Sequence, residues 1–237
     1  MSLPSRPISL SNKLLAALPR AEFDRLAPHL EQVNFPKDTI LYDAGDVVRH
    51  AYFLQSGMIS LLSVTDEEDV IEVGAVGYEG MVGIASVLPN KKAALRTLVQ
   101  IPVGALQIKA DTLRREFKRC EELRELLLGY THTLVTQIAQ SIACNHYHPI
   151  EKRLCRWLLM TRDCANDYTF HLTHEFISYM LGTTRTGVTE AAGVLQAKGL
   201  IHYRRGKITI LNKEELEATA CDCYRIIKED SEHSIAA

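Results

Sequence analysis

The 237-residue chain has no uninterrupted apolar run near the ~18 residues that a membrane span requires. At its start, "KLLAALPRAEF" is a short amphipathic segment, not the continuous apolar core of a secretory signal. A cytoplasmic protein with no membrane partner is therefore expected. The chain also lacks a GxxxxGK[ST] phosphate loop, an HExxH pair and a GxSxG elbow, so an enzyme is not expected. It has no internal repeat and no low-complexity tract.

Cysteine is sparse and unpatterned. Residues 120, 144, 155, 164, 221 and 223 show neither zinc-site spacing nor the density of a disulfide framework. Free thiols and no metal are expected. In "CNHYHP", Cys144, His146 and His148 alternate; such a run could ligate a metal or haem, but a polar hinge closed by Pro149 accounts for them. Cys221 and Cys223 read as one face of a terminal helix.

Charge of one sign is also lacking, with a formal net charge of −2. Its distribution is uneven: residues 149–212 hold nine Lys/Arg against five Asp/Glu, and the remainder holds 18 against 24. A basic module within an acidic chain fits local contact with a polyanion.

What is present falls into four segments. Residues 11–33 space Leu14, Leu15, Leu18, Phe23, Leu26 and Leu30 as helix, interrupted at Pro19. Residues 34–110 carry short β-rich runs separated by Ala44-Gly45-Asp46, Ser56-Gly57 and Asp66-Glu67-Glu68-Asp69, which suggests a small barrel or sandwich. From a cap at Asp111, residues 111–145 place Phe117, Leu123, Leu127, Tyr130, Leu134, Ile138 and Ile142 at helical intervals. That is roughly nine turns of helix. A helix so long needs a second surface, so Phe117, Leu127, Tyr130, Leu134, Ile138 and Ile142 are expected to form a parallel homodimer seam. Packing on the β-domain is the alternative. After the hinge come an amphipathic helix, the strand-like "YTFHL", a helical pair, the hairpin "LIHYRRGKITIL" and a tail helical to about Ile227.

The helical pair carries the chemistry. Thr173 caps a first helix, Gly182 permits a sharp turn, Thr183 or Thr184 caps a second, and Gly199 closes it. Two helices joined by a short Gly-containing turn describe a helix-turn-helix, whose second helix enters the DNA major groove. Val188, Ala191, Ala192 and Leu195 form its buried face. Thr184, Arg185, Thr186 and Thr189 then face outward, with hydroxyls and a guanidinium suited to base edges and phosphates. The hairpin puts Arg204, Arg205 and Lys207 at a basic wing tip.

On "TILYDAGD…YFLQSGMISLL", "RLCRWLL" and "LTHEFISYMLGTTRTGVTEAAGVLQAKGLI", the chain resembles the Crp/Fnr family of bacterial transcription regulators over nearly its whole length. The resemblance implies an α+β protein. Residues 1–110 would hold N-terminal helices and a jelly-roll-like, cyclic-nucleotide-binding-like β-roll. Residues 111–148 would form the dimerisation helix and hinge, and residues 149–237 a winged helix-turn-helix with a C-terminal helix. It implies a homodimer on two-fold symmetric double-stranded DNA, with RNA polymerase as a further partner if the protein activates. Arg185 matches the family's first reading Arg. Thr186 stands where Glu is common, and Glu190 where a second Arg is common. Thr173 and His174 match phosphate-contacting positions.

For a cyclic-nucleotide effector, the resemblance points to Glu79 in "GYEG" and to Arg96-Thr97, with Glu79 on the ribose and Arg96 on the phosphate. The gap between them is longer than in the family's nucleotide binders. Ile138-Ala139 fall where those binders carry an adenine-reading Thr-Ser pair. Cyclic AMP in the usual mode is therefore not expected. No Cys precedes Cys120, which excludes the N-terminal iron–sulfur centre of oxygen-sensing relatives. The other reading is a nucleotide-sensing module acting on a partner protein, which the β-roll suits and the helix-turn-helix does not.

Overall fold

The computed structural model describes residues 11–67 and 69–236. Residues 1–10 of the expected N-terminal domain, Glu68 of the expected turn and Ala237 of the tail lie outside the described residues. Two short helices come first, α1 (Lys13–Ala17) and α2 (Arg20–Leu26), divided at Pro19. The strands β1 (Glu31–Phe35), β2 (Ile40–Tyr42), β3 (His50–Val64), β4 (Val70–Val76), β5 (Met81–Val82) and β6 (Arg96–Lys109) form one antiparallel sheet. Its order is β1-β6-β3-β4, with β2 also on β6 and β5 on β3.

The long strands β3 and β6 curl this sheet into a roll through register shifts near Ser56 and Met58. Bulges bend strands in this way. Ser56-Gly57, expected as a turn, lies inside β3. Gly57 has φ +82°, and a Cβ there would run into the Pro102 carbonyl, so the position is a Gly bulge and not a strand end.

The expected single helix from Asp111 is two helices. α3 (Ala110–Arg119) ends at Cys120, which is extended, and α4 (Glu121–Tyr147) begins there. Glu22 of α2 accepts a 2.9 Å hydrogen bond from the Leu123 amide, satisfying a donor left free at the start of α4. The hinge is shorter than expected, because α4 runs to Tyr147 and only His148-Pro149 separate it from α5 (Ile150–Ala165).

The C-terminal module continues with β7 (Thr169–His171), α6 (His174–Leu181), α7 (Arg185–Ala197), β8 (Ile201–Arg204) and β9 (Lys207–Ile210). Its three strands order as β7-β9-β8. Arg205 and Gly206 both have positive φ, the signature of a tight two-residue hairpin turn. α8 (Lys213–Thr219) and α9 (Cys223–Ala236) complete the chain. The tail thus stays helical beyond Ile227, because α9 packs along α4 and buries Tyr224 and Ile227.

The expected seam splits between two faces of α4. Leu127 and Tyr130 are buried in the core beneath the roll, and the Tyr130 hydroxyl donates to the Met81 carbonyl at 2.8 Å. Phe117 and Leu134 pack on the same core, Ile138 is half-buried, and Ile142 is exposed. On the outer face, Leu128, Val135 and Ile142 are 44%, 60% and 61% exposed. Their seven-residue spacing is that of one coiled-coil position.

The roll and the C-terminal module share a buried boundary. Trp157 Nε1 donates to Glu72 Oε1 at 2.9 Å, and Gly182 sits against the Ile71 side chain.

Candidate nucleic-acid interface and effector pocket

The start of α7 is built by local capping. Thr184 is its N-cap and accepts a hydrogen bond from the Gly187 amide at 3.1 Å. A Cβ on Gly187 would lie 3.3 Å from the Thr184 hydroxyl and 3.4 Å from that of Thr183. Gly187 therefore makes room for the cap, at a cost of roughly 1 kcal/mol in helix propensity. Thr173 caps α6 in the same way, accepting from the Phe176 amide at 3.1 Å. Gly182 ends α6 at φ +55°. Val188, Ala191, Ala192 and Leu195 are buried, so the other face of α7 is turned outward.

Thr173, Thr184, Arg185, Thr186, Thr189 and Glu190 are exposed, as are Arg204, Arg205 and Lys207 on the hairpin. His174 is half-buried and joins the three pieces. Its Nδ1 lies 2.9 Å from the Thr189 hydroxyl, and its ring stacks on Tyr203 at 4.0 Å. Burial, and then the charge of Arg185, hold His174 below its usual pKa. Thr189 also donates to the Arg185 carbonyl at 2.9 Å. Its hydroxyl is thus engaged with the protein, which the outward Thr pattern did not reveal. The Tyr203 amide donates to Gln196 Oε1 at 2.7 Å, fixing the wing to the end of α7.

The expected effector residues do not converge. Glu79 is half-buried and lines a cavity of about 250 Å³ among the roll, α4, α5 and α9, together with Lys13, Tyr130, Arg162 and Cys164. It accepts from the Gly77 amide at 2.7 Å, and burial raises its pKa. Arg96 lines a different cleft, between the roll and the α6–α7 turn, and pairs with Asp43 at 2.6 Å. Thr97 is buried and accepts from the Tyr42 amide at 2.9 Å. Glu79 and Arg96, expected on the ribose and the phosphate of one nucleotide, thus line separate cavities.

A family model of the Crp-like helix-turn-helix domain matches residues 152–219, and one of the cyclic nucleotide-binding domain matches residues 32–120. The chain belongs to the Crp/Fnr family. It is a DNA-binding transcription regulator of the Crp/Fnr type. The regulator is 26% identical over 186 residues to the global nitrogen regulator of Nostoc sp., covering 75% of this chain and 83% of that one. In fold it is similar to a Crp/Fnr-family transcriptional regulator of Eubacterium rectale, with TM-score 0.69 at 20% identity over 87% and 96% of the two chains. It is also similar to the c-di-GMP responsive global regulator CLP of Xanthomonas campestris, with TM-score 0.66 at 16% identity over 82% and 100%. No helix among the described residues of the regulator is long and apolar enough to cross a membrane.

One site escaped the sequence reading. Cys144, His148, Cys221 and Cys223 lie together, their ligand atoms all within 4.8 Å of one another. The fold brings an end of α4 against the α8–α9 junction, 77 residues away along the chain, so no local spacing announces them. His146, the other imidazole of "CNHYHP", is exposed and outside the group.

Proposed function

We propose that the regulator binds two-fold symmetric DNA as a homodimer, with α7 in the major groove of each half-site. The observation that supports this is the exposed first turn of α7, where Arg185 and Thr186 stand free beside the Arg204–Lys207 wing. Arg185 reads a guanine bidentately, and the wing and the Thr173–His174 start of α6 take phosphates. Thr186 and Glu190 replace the companions common in the family, so the half-site departs from the familiar one. The dimer forms along α4 through Leu128, Val135, Ile142 and the half-buried Ile138, which supply the apolar positions of a parallel two-helix seam.

A small effector in the cavity beside Glu79 would touch the roll, α4 and α5 together and so bias the pose of the DNA-binding module. The output of the protein is occupancy of DNA, not turnover.

The test combines footprinting and sedimentation. The wild-type protein should sediment as a dimer and protect a palindromic genomic fragment, with affinity falling steeply as salt rises. Val135→Asp should sediment as a monomer and lose on the order of 10²-fold in affinity for that fragment, as the second half-site ceases to be intramolecular. A Val135→Asp protein that stays dimeric would remove the proposed seam, and protection of no fragment at low salt would remove the DNA reading.

A further inference from the structure

The Cys/His cluster at the end of α4 is closed, buried and chemically specific. Cys144 sits in the last turns of α4 and His148 at its C-cap, while Cys221 lies in the α8–α9 junction and Cys223 opens α9. Cys144 Sγ lies 3.5 Å from Cys221 Sγ, and Cys223 Sγ lies 3.5 Å from His148 Nδ1. The three thiols are buried and the imidazole is half-buried. We propose that Cys144, His148, Cys221 and Cys223 bind one Zn²⁺ ion that fastens the end of α4 to the junction of α8 and α9.

Geometry selects a single ion. Four ligands around zinc with Zn–S bonds of about 2.3 Å stand about 3.8 Å apart along the edges of a tetrahedron. The Cys144–Cys221 sulfur edge falls a few tenths of an ångström short of that, the Cys223–His148 edge matches the roughly 3.5 Å expected between sulfur and nitrogen ligands, and all four atoms fit within 4.8 Å. The space at their centre suits one atom and not a cluster of several irons and sulfides. The donor set of three sulfurs and one nitrogen is that of structural zinc, and four protein ligands leave no open position for catalysis.

The surroundings suit an anionic metal centre. Three thiolates and a divalent ion carry one net negative charge. Arg153 and Arg156 are buried nearby, and the Nε of each makes no hydrogen bond among the described residues. Buried cations need such a counter-charge. Gln140 Nε2 donates to Cys223 Sγ at 3.2 Å, the kind of outer hydrogen bond that orients a metal ligand.

The ion would act where α4 hands over to the DNA-binding module. α8 packs on α5, and α9 packs along α4, so one metal joins the helix carrying the proposed seam to the module that reads DNA.

The test begins with elemental analysis of the full-length protein purified under reducing conditions. One zinc per chain is expected. Exchange for Co²⁺ should give the strong ligand-field bands and sulfur-to-cobalt charge transfer of a tetrahedral thiolate site. X-ray absorption should show three sulfurs at about 2.3 Å and one nitrogen at about 2.0 Å. Cys221→Ser and Cys223→Ser should lose the ion and melt at lower temperature, while Cys120→Ser, outside the cluster, should keep it. Folded wild-type protein that takes up neither zinc nor cobalt overturns the proposal. So does iron with acid-labile sulfide, or undiminished metal in Cys221→Ser. The wild-type measurements decide by themselves, so a variant that fails to fold leaves the test intact.

Discussion

The first turn of α7 and the boundary between the roll and the DNA-binding module use polar groups in opposite ways. At α7, Arg185 and Thr186 are left at the surface, and only the capping hydroxyl and Thr189 are engaged locally. At the boundary and in the roll, polar groups turn to one another: one Glu72 oxygen accepts from Trp157, Glu79 accepts from the Gly77 amide, and the partly exposed Arg96 pairs with Asp43. A surface that meets a large, charged partner must keep donors solvated until the partner arrives. A buried junction gains by pairing them within the fold, because an unpaired buried polar group costs about 1–3 kcal/mol. Substitutions in the two regions should therefore register in different measurements.

The largest separation is expected at Glu72. Burial pushes its carboxyl up to about 7, against the opposing pull of hydrogen bonds from Ser60 and Trp157 and of the Arg156 charge. A raised folded-state pKa means that the protonated form stabilises the fold. That contribution is complete below the unfolded value of 4.5 and is lost as pH rises through about 7. Glu72→Gln keeps an acceptor for Trp157 and removes the charge. It should match wild type near the acid end and exceed it above neutrality by up to roughly 3 kcal/mol. Denaturant melts across pH check this, and a pH-independent difference would show that Glu72 does not ionise at the boundary.

Next comes Arg185→Ala. It should cost about 1–3 kcal/mol on the specific site and relax base preference at one position, with the melting temperature unchanged. Arg205→Ala, on the wing, should lower affinity across all sequences and reduce the salt slope by about 1. Equal loss on specific and random DNA for both variants would erase the distinction between reader and wing.

The smallest effect concerns cyclic AMP. With Glu79 and Arg96 on separate cavities, calorimetry should record no saturable binding. A micromolar isotherm abolished by Arg96→Ala would restore the assignment that the structure separates.

The helix-turn-helix was legible because its signals are local. Gly182 and the Thr173 and Thr184 caps act within three or four residues, and the apolar face of α7 follows one period. The break at Cys120 was not legible, because the carboxylate that serves the start of α4 comes from Glu22, 101 residues earlier. The residues expected at the seam divide between two faces of α4. Helical spacing identifies apolar stripes on α4, but Leu127 and Leu128, or Leu134 and Val135, are neighbours in sequence. Only the position of the roll decides which of each pair faces inward. The Cys/His cluster and the cavities beside Glu79 and Arg96 depend on tertiary approach, which joins short stretches that spacing alone leaves apart.

Gly182 has a consequence for heredity. The Ile71 side chain occupies the space where any other residue at 182 would put its first carbon, and Gly182 stands three positions before Arg185. The linkage between roll and reader is thus encoded at a position with no side chain to vary. Among alleles that loosen this contact yet keep the fold, substitutions should gather on the Ile71 side, which can be trimmed. They should be scarcer at Gly182, whose positive φ strains most residues other than glycine.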